Sequence, residues 1–120
     1  MPKRVDTHCQ AFQLAIDVLK RPWSAVILNL LQDGPLRFSE IGDRARGVGD
    51  KVLSARLKEL ESRGLITRRV EPGPPVRVAY ALTPKGMAFD RVAEAIERWG
   101  RAFGSSEKGS RRRSATATAT

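Results

Sequence analysis

The chain has 120 residues, enough for one domain with a modest core. Its apolar fraction of 41% suits a soluble globular protein, and its net charge of +9 favours nucleic acid or an anionic membrane surface as partner. A single cysteine excludes an intramolecular disulfide, no stretch reaches the roughly 18 apolar residues of a membrane helix, and the start lacks the apolar run of a secretory signal, so a cytoplasmic location is expected.

Residues 1–8 read as a polar, flexible N-terminus. From Gln10 to Lys20, Phe12, Ile16 and Leu19 recur at helical spacing. Pro22 is expected in the first turn of a second helix, where its missing N–H costs nothing. Trp23, Val26, Ile27, Leu30 and Leu31 then line one apolar face, and "DGP" (33–35) ends it. A short third helix is predicted next, with Ser39 as its N-cap and Phe38, Ile41 and Ala45 apolar. "RGVG" (46–49) is a turn. A fourth helix runs from about Asp50 to Arg63, with Leu53, Leu57 and Leu60 as its buried stripe and Gly64 as the left-handed residue that closes it.

"LITRRV" (65–70) and "VRVAYAL" (76–82) read as strands joined by the stiff loop "EPGPP". The second alternates Val76, Val78, Tyr80 and Leu82 against Arg77, Ala79 and Ala81. Thr83 and Pro84 cap a last helix, whose Phe89, Val92, Ile96, Trp99 and Phe103 follow the heptad spacing of a seam with a partner helix. From Gly104 the chain is polar and of low complexity, so 9–103 is the expected domain and 104–120 a disordered basic tail.

Four basic residues against one acidic in that tail leave +6 on residues 1–103. Lys51 to Arg77 holds seven basic residues and three acidic ones, so the charge gathers on the fourth helix and the hairpin. A short helix, a Gly-containing turn and a second helix form a helix-turn-helix, and a hairpin directly after it forms a wing. The expected fold is therefore mainly α with a small β-hairpin (α+β), a winged helix-turn-helix. Burying Leu53, Leu57 and Leu60 turns Lys51, Ala55, Lys58, Glu59 and Ser62 outward, with Ser54 and Arg56 on the flanks. An α-helix fits the major groove of B-DNA, and such side chains reach base edges. Arg68, Arg69 and Arg77 extend this surface to phosphates or the minor groove. Arg37 and Ser39, at the start of the third helix, complete the candidate DNA-binding set.

The chain resembles the HxlR family of bacterial winged-helix transcriptional regulators, relatives of the MarR group, over roughly residues 9–101. "HCQAFQLAIDVLKRPWSAVILNLL" resembles the family's Cys-led first helix and Trp-led second one. "GPLRFSEI", "GVGDKVLSARLKELESRGLITRRV", "PPVRVAYALTPKG" and "RWG" follow in the family's order. The resemblance implies a homodimer on a near-palindromic operator in double-stranded DNA. Its N- and C-terminal helices would form the interface, here through Phe12, Phe89, Val92, Ile96, Trp99 and Phe103. The chain departs from the pattern at Arg21-Pro22, where Gly-Lys is frequent, at Gly49, where Ser is frequent, and at Ala79, where Glu is usual.

Some members of that family sense oxidants or electrophiles through a cysteine at the position of Cys9. A helix N-terminus would favour its thiolate. With no second cysteine, any disulfide must be intermolecular or with a small thiol. The alternative is an inert thiol. His8 beside Cys9 makes a poor metal site, because the chain supplies no further ligands of that kind nearby. Trp23, Trp99 and Phe103 line a pocket for an unidentified small-molecule effector or are plain core. No nucleophile–base pair and no phosphate loop point to an enzyme, and no cofactor is expected. The chain thus reads as a sequence-specific transcriptional regulator. The competing readings are an architectural, nucleoid-type protein that binds DNA without sequence preference, and a winged-helix module for protein contacts.

Overall fold

The computed structural model describes residues 9–115 and the side chains of 9–104. Residues 1–8, read as a flexible start, and 116–120 of the tail lie outside the described residues. The chain divides into two compact units, one ending at Phe89 and one beginning at Asp90.

In the first unit, α1 spans Gln10–Leu19. None of its residues is fully buried, but Val18 packs against the core. The Asp17 carboxyl accepts from Gln13 Nε2 at 3.1 Å and lies 3.4 Å from Lys20 Nζ. The Gln13 hydrogen bond, with Lys20 adding to it, holds this carboxyl below its ordinary range. That local support is present at neutral pH and is lost as pH falls through the lowered value.

The next helix, α2, is Ser24–Leu30, followed by one 3₁₀ turn, Leu31–Asp33. Pro22 is therefore not in its first turn, as the sequence reading expects. Trp23 adopts a left-handed conformation (φ 75°) and reverses the chain before the helix starts. A bulky residue holds this conformation only where its surroundings fix it. Here the indole lies 3.6 Å from where a Cβ on Gly47 would stand. The buried face also differs. Val26 is exposed, and Leu28 joins Ile27 and Leu31 in the core, because α2 packs against α1 on one side and the next helix on another.

A two-residue strand, β1 (Leu36–Arg37), leads into α3 (Phe38–Arg44). The sequence reading missed β1 and misplaced the cap. The extended Arg37, not Ser39, is the N-cap, and its backbone N–H donates to Glu40 Oε1 at 2.8 Å. After the turn, α4 (Asp50–Ser62) starts from an extended Gly49 and buries Leu53, Leu57 and Leu60, as predicted. Gly64 closes it with φ 77°.

The strands β2 (Ile66–Glu71) and β3 (Arg77–Leu82) form the predicted hairpin, but β1 adds to it, giving an antiparallel sheet of order β1-β3-β2. Leu36, Ile66 and Leu82 face the core with Ile27, Leu28, Leu31, Ile41, Leu53, Leu57 and Leu60. Each such side chain contributes about 1.5–3 kcal/mol on burial. Ala79 and Ala81 are buried too, although they alternate with the core-facing residues, because β3 is the central strand. Burial fades outward from Leu82 through Tyr80 and Val78 to the exposed Val76.

Thr83 is a cap, as predicted, but of the short α5 (Pro84–Met87) alone, because the single last helix of the sequence reading is broken at Ala88. The Thr83 hydroxyl accepts from Gly86 N at 3.2 Å and donates to Gly64 O at 2.6 Å. Beyond Ala88, α6 runs over Phe89–Ala115. Its first residue, Phe89, packs against the core. The helix passes Gly104, where the sequence reading begins its tail. No Pro follows Pro84, and Glu107, Lys108 and Arg111 to Arg113 are good helix formers that offset part of the cost of Gly104 and Gly109.

Candidate nucleic-acid interface

The helix pair α3 and α4, joined by a turn through Gly47 (φ 99°), is the helix-turn-helix. With three leucines of α4 in the core, Lys51, Ala55, Lys58 and Ser62 are exposed along its outer side, and Ser54 is half-buried beside them. Arg44 and Arg46 are exposed in and just after the last turn of α3. The sequence reading passed over both, although a basic residue in the turn before a recognition helix is a legible signal.

Arg56 departs from expectation. Its Nε donates to Pro22 O at 2.9 Å, its Nη1 lies 3.6 Å from Glu59 Oε1, and its side chain is only 17% exposed. Glu59, expected to face outward, is half-buried, with Arg21 Nε and Arg63 Nε each 3.6 Å from its Oε2. The pairs within α4 follow helical spacing. The reach from α4 to the turn before α2 does not show in the sequence. Arg56 and Glu59 fasten α4 to residues 21–23, and Trp23 fastens the same turn to Gly47.

The wing arginines separate by face. Arg69 and Arg77 are on one side of the sheet together with Arg37, which pairs with Ala79 across β1 and β3. Arg68 pairs with Tyr80 on the opposite side and is exposed on the edge strand. Ser39 is exposed in the first turn of α3.

Cys9 is exposed and has helical backbone angles (φ −68°, ψ −33°), not the extended angles of an N-cap. Cys9 therefore does not have the geometry of an N-cap for α1. Phe12 on α1 is 67% exposed. In the second unit, Val92, Ile96, Trp99 and Phe103 are exposed along α6, and the Trp99 and Phe103 rings meet with centroids 5.0 Å apart. Phe89, expected in the same seam, instead belongs to the core of the first unit.

A helix-turn-helix followed by a three-stranded sheet with a projecting hairpin defines a winged-helix DNA-binding protein. The model of the HxlR-like helix-turn-helix family matches residues 18–108, and the chain belongs to that family. It is 38% identical over 98 residues to the HTH-type transcriptional regulator YodB of Bacillus subtilis, covering 82% of this chain and 88% of YodB. It is 43% identical over 91 residues to the regulator YvaP of the same organism, covering 76% and 84%. Reduced YodB superposes with a TM-score of 0.71 over 76% of this chain and 89% of that one, and diamide-treated YodB with 0.66 over 76% and 90%. The redox regulator HypR in its oxidised form gives 0.71 at 26% identity, over 77% and 95%. The protein is a helix-turn-helix transcriptional regulator that binds DNA in a sequence-specific manner. Among the described residues, no helix is long and apolar enough to cross a membrane.

Proposed function

We propose that two copies of the chain bind a near-palindromic operator in the cytoplasm, each placing α4 in the major groove and its wing on the flanking backbone. The observation that carries this reading is the exposed row Lys51, Ala55 and Lys58, set opposite the buried Leu53, Leu57 and Leu60. Ser54 flanks the row. Arg37, Arg68, Arg69 and Arg77, with Ser39, supply phosphate contacts. Arg56 is left out of the reading set because it is engaged with Pro22 and Glu59. The exposed Val92, Ile96, Trp99 and Phe103 of α6, with Phe12 of α1, form the dimer seam. Catalysis has no part in this function, and any small-molecule effector is unidentified.

We further propose that Cys9 makes the binding sensitive to thiol oxidants. The exposed thiol supports this, as does the likeness to HypR, a redox regulator, and to YodB, solved after diamide treatment. Two such thiols on different chains, or one with a small thiol, would join as a disulfide while diamide takes up their two electrons and two protons.

The test is fluorescence anisotropy of the reduced protein on duplex DNA from upstream of its own gene, against a scrambled duplex, at about 150 mM salt. A preference of about 10³-fold or more is expected. Equal, weak, salt-sensitive binding to both, and to every fragment in a genome-wide selection, would replace the operator with non-specific architectural binding. Diamide should change the affinity of wild type and leave that of Cys9→Ser untouched. An unaltered response in the variant removes Cys9 as the sensor.

A further inference from the structure

The register of the sheet sets Arg37 of β1 and Arg69 of β2 opposite one and the same residue of the central strand, Ala79. Directly opposed residues of antiparallel strands project from the same face. One rung therefore reads Arg37, Ala79, Arg69. Neighbouring strands lie about 4.8 Å apart, so the two arginine backbones stand roughly 10 Å apart with a single methyl group between them. Arg77 is on the same face, one rung away, and opposes Glu71. The carboxylate of this face is thus matched to Arg77 and not to the other two cations. Among the described residues, no ion pair within 4.0 Å involves Arg37, Arg69 or Arg77. Ala79 itself is 4% exposed, with the exposed Arg69 on one side of it and the half-buried Arg37 on the other.

Two like charges flanking one small residue repel each other unless an anion lies between them. Glu71 opposes Arg77, Glu40 accepts from the Arg37 backbone N–H, and neither forms an ion pair with the Arg37 or Arg69 guanidinium. We propose that the rung is a phosphate clamp, in which Arg37 and Arg69 hold the DNA backbone from either side of Ala79, and that Ala79 is the residue that leaves both free to do so. This rests on the DNA-binding reading of α4. The charge complementarity is direct, because duplex DNA carries a phosphate charge about every 1.7 Å along its axis. The planar guanidinium fork matches phosphate oxygens in pairs, whereas an ammonium acts as a point charge. Arg37 immediately precedes α3, so the clamp is continuous with the helix-turn-helix. It sets the position of the protein on the duplex and carries no base preference. A carboxylate at residue 79 would enter the rung between the two guanidiniums and take the place of the phosphate.

The salt dependence of binding tests this. Affinity of the full chain for a mixed-sequence duplex of about three helical turns is measured against salt concentration for wild type, Ala79→Glu and Ala79→Gln. Each phosphate contact contributes about 0.9 to the slope of log affinity against log salt. Ala79→Glu should lower the slope by about 2, with equal loss on operator and scrambled duplexes, while the uncharged Ala79→Gln keeps the wild-type slope. If Ala79→Glu fails to fold by circular dichroism, Arg69→Gln and Arg37→Gln carry the test. Each should lower the slope by about 1, and the pair by about 2. Equal slopes for wild type and for every folded charge variant overturn the clamp while the reading of α4 stands. A wild type that binds no duplex overturns both.

Discussion

Gly86 shows how a single residue fixes a contact between elements. A Cβ built on it collides with the Leu65 carbonyl oxygen and comes within 2.9 Å of Leu82 Cδ2. The Gly86 amide, meanwhile, is held by Thr83 Oγ1, and its carbonyl accepts from Gln32 Nε2 at 3.3 Å. The backbone of α5 therefore lies directly on Leu65, the residue before β2, where no side chain fits. Gly86→Ala should destabilise the fold by about 1–3 kcal/mol, as overpacking does, and lower the thermal midpoint. A variant that melts with wild type would mean that α5 shifts freely. The motif "LTPKG" was visible in the sequence, and Thr83 was read from it as a cap, because capping depends on near neighbours. The need for Gly86 was not visible, since the atom it avoids is 21 positions away in the chain, on Leu65.

At the level of elements, α4 has two jobs that its sequence does not separate. Its buried stripe was legible from leucine spacing alone, and the exposed Lys51 and Lys58 followed from it. Arg56 looked equally available, but the left-handed Trp23 turns the Pro22 carbonyl toward it. The third strand was hidden for a related reason. Two residues, Leu36 and Arg37, are too few for an alternation pattern, and only pairing with β3 defines them as β1. Arg56→Ala should cost about 1.5–3 kcal/mol of stability, the range of a charge-assisted hydrogen bond, and weaken DNA binding alike on all sequences by loosening α4. Lys58→Ala should leave the melting midpoint near wild type and weaken operator binding by about 1–3 kcal/mol, with relaxed preference at one base pair. Melting curves and anisotropy on single-base operator variants distinguish the two. An Arg56→Ala protein of unchanged stability that loses discrimination at one base pair would return Arg56 to the reading set.

For the whole molecule, the question is what covers the apolar surface that one chain leaves in water. Val92, Ile96, Trp99 and Phe103 repeat along one stripe of α6, and Trp99 is 69% exposed. The stripe was legible because its spacing of 4, 3 and 4 is a property of the sequence alone. The separate fate of Phe89 was not, since it depends on how the chain leaves Ala88. A contiguous exposed apolar stripe of this kind is the mark of an interface. In the proposed dimer a second copy would supply the same stripe, and two copies would present two α4 helices to half-sites spaced by about one helical turn. Trp99→Asp sets a carboxylate in the middle of that stripe, where burial without a partner is prohibitive. Sizing chromatography with light scattering should show the mass falling from twice the chain mass of 13.3 kDa to that mass. Operator affinity should fall with it, toward that of a single half-site, because the two binding events are no longer linked. The circular dichroism of the first unit should persist, since none of the core side chains comes from the stripe. A Trp99→Asp protein that stays at twice the chain mass would take the seam off α6, leaving Phe12, with the equally exposed Leu14 of α1, as the next residues to change.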